Sequence, residues 1–446
     1  MGSQTEVSNE RLGKGEGTGN TATIESTQSS EPSLPGASQI AEADGSTTTG
    51  AIPQIAINMA DARTLLSRWE DSTLQRQNEP LSVHASGEFF LPYLAANERY
   101  QSPHIVLWES GGTPTGILIA RIAHARPARA IGPITIPMPR LKTLEIVHGG
   151  LEAENKDTAN LQLEYIRDIL ASGEVDSVAI HHLPCESEAG KQLSAGLRFP
   201  GDGNPVFTSH WCSQLTDGDG NPVIHNSSKT RSSFRRKDRK LKAFFQDRVQ
   251  VLELNTVLEV TPLIAAASSI GERSYQGGLG VGVRDNPHWQ TVLTILAANK
   301  QLRGYLLQAD GVNVAYGVGA ACRGTFCYMA GSFLPEYRDI APGGYLLRRI
   351  FEQLQDQGIR WFDFGFGDAP YKELHGNWHK EEATYHFYAK SRPAIAARML
   401  DGLVQWSNRN LRKMLTTTGL LERARRLWRR RLERSERKSE TPDKRE

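Results

Sequence analysis

Gly358-Ile-Arg-Trp-Phe-Asp-Phe-Gly-Phe-Gly-Asp-Ala-Pro-Tyr-Lys372 is the stretch whose reading decides the fold. A glycine closes a predicted helix, a short aromatic strand runs from Trp361 to Phe364, and Gly365 and Gly367 break it before Pro370, Tyr371 and Lys372. A strand that gives way at once to glycines and polar groups is where a sheet flanked by helices usually carries its chemistry. Just upstream, Tyr337-Arg-Asp-Ile-Ala-Pro-Gly-Gly-Tyr345 leads into the preceding helix. Its glycines leave the first backbone N–H groups uncovered, which makes an anion seat of pyrophosphate size.

The 446 residues exceed one small core and predict two domains. Lys and Arg (52) nearly balance Asp and Glu (50), so bulk charge names no partner. The four cysteines, Cys185, Cys212, Cys322 and Cys327, show no CxxC pairing and read as reduced thiols of a cytoplasmic protein. There is no secretory signal, no apolar run long enough for a bilayer, and Glu6 stands where a myristoylation signal needs Ser or Thr.

Residues 1–50 are rich in Ser, Thr, Gly and Glu without an aromatic residue, and are expected to be a disordered tail. Leu65, Leu66 and Trp69 mark a helix, and His104–Glu109, Gly111-Gly112 and Gly116–Ala120 mark a hairpin. A helix over 158–171 and a strand over 177–180 complete a first lobe, 51–225. The basic run Lys229–Lys242 reads as a helix, either a solvated connection or an anion-binding face. After it come a helix over 261–272, the loop Gln276–Gly282, a helix from Pro287 to Lys300, three strands (303–308, 314–321, 326–333), the helix to Asp356, the Trp361 strand and a last strand over 383–389. This second lobe, 226–392, is an α+β layer with one internal ligand-binding turn.

Ala309-Asp-Gly-Val-Asn-Val-Ala315, Tyr337–Gly344, Asp363-Phe-Gly-Phe-Gly367 and Tyr371-Lys372, in that order, resemble the GNAT-superfamily acyltransferases of the CelD-like type, associated with bacterial polysaccharide biosynthesis and related to the FemAB-type aminoacyl transferases. The likeness is best over 229–390. It implies two tandem GNAT-like lobes, each a mixed, mainly antiparallel sheet flanked by helices, and an acyl-CoA such as acetyl-CoA as donor. The pantetheine arm would lie between the strands 326–333 and 361–364. The pyrophosphate would rest on Ala341, Pro342, Gly343 and Gly344, with Arg338 nearby. Many GNAT enzymes carry Arg/Gln-x-x-Gly-x-Gly/Ala there; Arg338-Asp-Ile-Ala-Pro-Gly-Gly344 departs from that pattern, which keeps a charged-tRNA donor open. Other nucleic acid has no motif to support it.

Acyl transfer to a sugar or amino-acid-like acceptor needs a proton acceptor, an oxyanion donor and an acid for the leaving thiolate. Asp363 is the candidate base or amine-orienting carboxylate; its alternative is an Asp satisfied by local N–H groups. Tyr371 is the candidate acid and Lys372 the candidate positive charge. Gly365 and Gly367 would border the acceptor, and Tyr275 would line the cleft or pack in the core. Asp368 reads as a turn former. His375 and His379 have helical ligand spacing, but Gly376 and Asn377 between them oppose a helix, and His181-His182 would point to opposite strand faces, so no metal is expected.

The segment 393–446 is expected to be helical, with Leu and Trp on one face and a crowd of arginines at its end. It reads either as a helix fraying into solvent or as a peripheral contact with the anionic inner membrane surface.

Overall fold

The computed structural model describes residues 52–73, 79–127, 129–131, 134–195, 205–274 and 282–417. The expected N-terminal tail, Tyr275 with the glycine loop through 281, and the arginine-rich segment after 417 lie outside the described residues.

The chain forms one twelve-stranded mixed sheet with helices on both faces. In the first half, β1 (Ile52–Ala56) is followed by α1 (Met59–Thr73), α2 (Gly87–Ala95) and the hairpin β2 (Tyr100–Ser110) and β3 (Thr113–Ala125). Positive φ at both Gly111 and Gly112 makes the two-residue turn whose twist suits a hairpin. A small pair, β4 (Arg129–Ile131) and β5 (Ile134–Ile136), precedes β6 (Leu141–Ala153), α3 (Lys156–Ser172), β7 (Ser177–Pro184), α4 (Glu188–Ser194) and β8 (Val206–Gln214). The Asn155 side chain caps the α3 N-terminus at Thr158 N–H, and left-handed Gly173 ends the helix.

The second half runs α5 (Ser228–Phe244), β9 (Val249–Leu254), α6 (Val260–Arg273), α7 (Pro287–Ala298), β10 (Leu302–Ala309), β11 (Val312–Cys322), β12 (Thr325–Phe333), α8 (Pro342–Asp356), β13 (Trp361–Phe366), α9 (Pro370–His375), β14 (Trp378–Tyr388) and α10 (Arg392–Thr417). Within the described residues the expected helices and hairpins are present, the C-terminal helix as far as Thr417. The strands β1, β4, β5, β6, β8 and β9 and the helices α2, α4 and α9 were not anticipated, and the last strand starts at Trp378 rather than at 383.

Strand order is β1-β2-β3-β6-β7-β14-β8-β13-β12-β11-β10-β9. It crosses the division expected at 225/226: late β14 lies against early β7, and β8 lies against β13. Each half thus carries a strand of the other. The exchange is sealed by packing, since Tyr385 and Phe387 of β14 join the core built by Leu163, Ile166 and Leu170 of α3. On the other side, Trp211 of β8 packs against the core that Phe362 and Phe364 form with Leu346, Ile350 and Leu354 of α8. Each such buried side chain contributes about 1.5–3 kcal/mol, so neither half has a complete core alone.

The described strands pair in parallel twice, and both pairings are short. β6 and β7 pair over Thr143–Ile146 and Ser177–Ile180, and β12 and β13 over Thr325–Cys327 and Trp361–Asp363, after which each pair parts. These two forks flank the exchanged strands. Among the described residues no helix is long and apolar enough to cross a membrane.

Candidate active site at the strand-exchange junction

Five neighbouring strands present one row of polar side chains across the middle of the sheet: His148 from β6, His182 from β7, Glu382 from β14, His210 from β8 and Asp363 from β13. His210 is the hub. Its Nε2 lies 2.6 Å from Asp363 Oδ1 and its Nδ1 2.8 Å from Glu382 Oε1. Lys380 Nζ is 3.3 Å from the same Glu382 oxygen, while Glu382 Oε2 faces His148 Nε2 at 3.5 Å without a hydrogen bond. Glu382 is 0% exposed, His210 2% and Asp363 6%. Charges this deep persist only when they are paired.

The backbone is distorted wherever the row is set. The β3–β6 register shifts around His148, with Gly149 at φ +75°. The β14–β7 register shifts around His182, which itself takes φ +52°, and β13–β8 shifts between Asp363 and Gly365, at φ +71°. Bulges re-aim side chains, and a left-handed non-glycine residue costs on the order of 1–3 kcal/mol that the surroundings must offset. The bulge breaks the simple alternation expected for His181-His182, and His182 stacks on Phe366 with centroids 3.4 Å apart.

Electrostatics follow from burial and pairing. Burial would raise the Asp363 carboxyl, but the His210 charge and hydrogen bond outweigh it and hold it below the usual range. The same contest, won by His148 and then His210, lowers Glu382. Burial pulls His210 down, yet the two carboxylates hold it well above an ordinary histidine. Burial pushes Cys212, 3.7 Å from His210 Nε2, up to about 11, so it is a thiol and not a nucleophile. Both hydrogen bonds of Asp363, from His210 and from Gly365 N–H (2.6 Å), fall on Oδ1. Oδ2 is left as the oxygen with lone pairs to give.

Asp363 stands at the last paired position of the β12–β13 fork, opposite Cys327. A segment of the first half covers that end: Leu81 N–H donates to Thr325 Oγ1, and Cys327 Sγ lies 3.6 Å from the Leu81 carbonyl. Phe362 and Phe364, one step either side of Asp363, face α8 on the opposite side of the sheet. Tyr371 belongs to that side, its ring 6.0 Å from Phe364 and 42% exposed. Lys372 is buried, and its Nζ donates to the carbonyls of Gly365 (3.1 Å) and Phe366 (2.6 Å). Asp363 and Tyr371 therefore approach the fork from opposite faces, with Lys372 clamping the end of β13 between them. Gly365 and Gly367, both at positive φ, form that end. Asp368 accepts from Trp211 Nε1 at 2.8 Å, His375 stacks on Phe234 and His379 on Trp211, so the last two do not meet.

At the start of α8, Ala341 is left-handed and Pro342 opens the first turn, with no side-chain cap. Gly343 and Gly344 thus keep the unsatisfied N–H groups of a helix N-terminus. A Cβ on Gly343 would sit 2.9 Å from the Phe333 ring, whereas one on Gly344 meets only the Arg348 guanidinium, at 3.3 Å. Arg338 is exposed beside this turn. One turn on, α5 packs on α8 through an Asp238–Arg348 ion pair, leaving a cleft of about 480 Å³ lined by Arg235, Asp238, Arg239, Lys242, Tyr345 and Arg349. The basic run is a helix with this cleft, lined mostly by basic side chains, on one side.

His148, His210, Glu382 and Lys380 were not singled out in the sequence. The available signal was period-two polarity, His210 with Cys212 and Lys380 with Glu382, inside segments whose other residues suit strands.

Residues 228–373 match the family model described as an acetyltransferase (GNAT) domain. That span runs from the start of α5 to α9 and contains the fork, Asp363 and the α8 N-terminus. No curated protein matches the chain in sequence. Among solved structures, FemX is 12% identical with a TM-score of 0.50, covering 72% of this chain and 96% of its own. The C-terminal domain of a putative lysylphosphatidylglycerol synthetase from Agrobacterium fabrum is 12% identical with a TM-score of 0.44, covering 78% and 97%. A tandem GNAT protein from the clavulanic acid biosynthesis pathway is 12% identical with a TM-score of 0.43, covering 76% and 99%. At such identity the FemX likeness concerns the fold.

Proposed function

We propose that this protein is a GNAT-type acyltransferase that moves an acyl group from an acyl-CoA, such as acetyl-CoA, to an amine or hydroxyl of a sugar or amino-acid-like acceptor, in polysaccharide or envelope biosynthesis. The observation that carries the reading is an ionised carboxylate, Asp363, fixed on one oxygen at the point where β12 and β13 part, inside the span that matches the acetyltransferase domain.

The donor's pantetheine arm enters the fork, and its pyrophosphate lies on the free N–H groups of Gly343 and Gly344. Asp363 Oδ2 orients the acceptor and takes its proton. The acceptor nitrogen or oxygen attacks the thioester carbon, the new bond forms as the C–S bond breaks, and Tyr371 gives a proton to the departing thiolate. Lys372 keeps the end of β13 in place rather than meeting substrate, because its ammonium already serves two carbonyls.

A second reading keeps the fold and changes the donor to a charged tRNA. The basic cleft between α5 and α8, beside the α8 N-terminus, favours it, since a polyanion longer than CoA would engage Arg235, Arg239 and Lys242 together.

Titration of the purified protein with acetyl-CoA and longer acyl-CoAs tests the first reading. Saturable binding abolished by Gly344→Glu, where the added Cβ meets only the Arg348 guanidinium at 3.3 Å, supports it. Absence of binding to every acyl-CoA by folded protein rejects it. Binding of charged tRNA in its place then supports the second reading, and failure of both leaves a non-catalytic scaffold of an exopolysaccharide pathway.

A further inference from the structure

We infer that the junction is also a metal site, in which His148 Nε2, His210 Nδ1 and a Glu382 carboxylate oxygen hold one divalent transition-metal ion of the zinc class. These three residues, on three separate strands, β6, β8 and β14, each offer a ligand atom such that all three atoms lie within 4.8 Å of one another.

The spacing suits such an ion. Donors about 2.0–2.1 Å from a tetrahedral zinc stand about 3.3 Å apart; His148 Nε2 and Glu382 Oε2 are 3.5 Å apart. Two imidazoles on one tetrahedral ion have centroids about 5 Å apart by the same geometry; the rings of His148 and His210 are 5.4 Å apart at 68°. The protein leaves lone pairs here unused. Glu382 Oε2 is fully buried without a hydrogen bond, and so is Nδ1 of His182, whose ring stands edge-on to His148 at 5.9 Å. A buried carboxylate oxygen without a hydrogen bond, held only by the longer 3.5 Å contact with His148 Nε2, is costly, and an ion at this point would satisfy it.

The surrounding groups also behave as an outer shell. Imidazole ligands commonly donate their second N–H to a carboxylate, which sets the tautomer and strengthens the ligand. The ion takes the place of the proton that His210 Nδ1 shares with Glu382 Oε1 at 2.8 Å, that proton leaves to water, and His210 keeps its Nε2–H bond to Asp363 Oδ1, 2.6 Å away. Lys380 Nζ, 3.3 Å from Glu382 Oε1, turns the other carboxylate oxygen toward His148. Two imidazoles and one carboxylate select zinc-class ions over magnesium or calcium, which prefer all-oxygen shells, and three protein ligands leave a fourth position open. This inference does not depend on acyl transfer, and it departs from the sequence expectation of no metal, which weighed only His375 with His379 and the tandem His181-His182.

The test uses the full-length protein, stripped with a chelator and titrated with Zn²⁺ and separately with Mg²⁺, with Co²⁺ as spectroscopic probe. The expected result is one equivalent of Zn²⁺ bound, none of Mg²⁺, and visible Co²⁺ bands of a four-coordinate site. His148→Gln, at a partly exposed rim position, should lose the equivalent and the bands while its circular dichroism stays that of the unaltered chain. Asp363→Asn should weaken Zn²⁺ by about 10–100-fold, the usual effect of removing an outer-shell carboxylate. Failure of the unaltered protein to bind stoichiometric Zn²⁺, or equal binding by folded His148→Gln, overturns the inference. Loss of acyl-CoA binding with Zn²⁺ binding intact would reject only the acyl-transfer reading.

Discussion

His210 Nε2 meets Asp363 Oδ1 at 2.6 Å although the two residues are 153 positions apart, because the first half of the chain lends β8 to the second half and there it lies directly beside β13. The proposed base is thus oriented by a strand outside the span that matches the acetyltransferase domain. An isolated fragment 228–373 would carry Asp363 without its partner, and the exchanged strands are part of the site rather than an accessory to it.

Asp363→Asn is expected to lower kcat for the acceptor found by screening by about 10²–10⁴-fold, the range for a lost proton acceptor, with acyl-CoA affinity unchanged. The amide also turns a donor toward His210 or withdraws an acceptor from Gly365 N–H. Steady-state kinetics with parallel calorimetry decides it. A kcat within a few fold of the parent would leave Asp363 as a strand-end residue satisfied by its neighbours.

Glu382→Gln should cost about 3–5 kcal/mol of unfolding free energy, as expected when one partner of a buried charge network is removed and the rest stay buried. The carboxylate is 0% exposed and faces His210, Lys380 and His148 at once. Urea unfolding measures the loss. A change below about 1 kcal/mol would mean that water enters the junction and screens the charges.

The second half was legible because its signals are local. Asn286-Pro287 starts a helix, Asp310-Gly311 turns a hairpin, and Gly343-Gly344 bare a helix N-terminus, each within a few residues. The junction was not legible, because its row takes one side chain from each of five strands and its order depends on an exchange between β8 and β14 that no local pattern encodes. β8 also reads poorly as a strand: Val206 and Phe207 are exposed, while His210 and Cys212 are buried. Asp363 was found from its own neighbourhood, and the partner that orients it came from tertiary structure.

Stability should rise with pH between about 8 and 10.5 through Lys372. Burial lowers its ammonium from 10.5 to about 8, so between those values the unfolded chain holds a proton that the folded chain does not. The cost of burying the charge is in full force below about pH 8 and is relieved as pH climbs through the window. Lys372→Met removes this slope while losing the bonds to Gly365 and Phe366. The parent's denaturant midpoint should therefore rise relative to that of Lys372→Met as pH climbs from about 8 to 10.5. Parallel pH profiles for the two proteins would show that Lys372 does not titrate there.

The described part of the C-terminal segment bears on membrane contact. On α10, Ile395, Met399, Leu403 and Trp406 recur every three or four residues and are 47%, 72%, 55% and 61% exposed, an apolar stripe on one helix face. Arg392, Arg398 and Arg409 lie on the same helix. Such a helix lies in an anionic interface with its apolar side chains in the acyl boundary and its basic ones among the headgroups. The protein should therefore co-sediment with vesicles containing anionic lipid, less so as salt rises, and hardly at all with neutral vesicles. Met399→Glu together with Trp406→Glu removes apolar contacts worth about 1.5–3 kcal/mol each when fully buried, and adds charge that anionic lipid repels. The pair should abolish binding without affecting stability, since neither side chain is packed. Absence of binding at every salt concentration would reject membrane contact through this stripe.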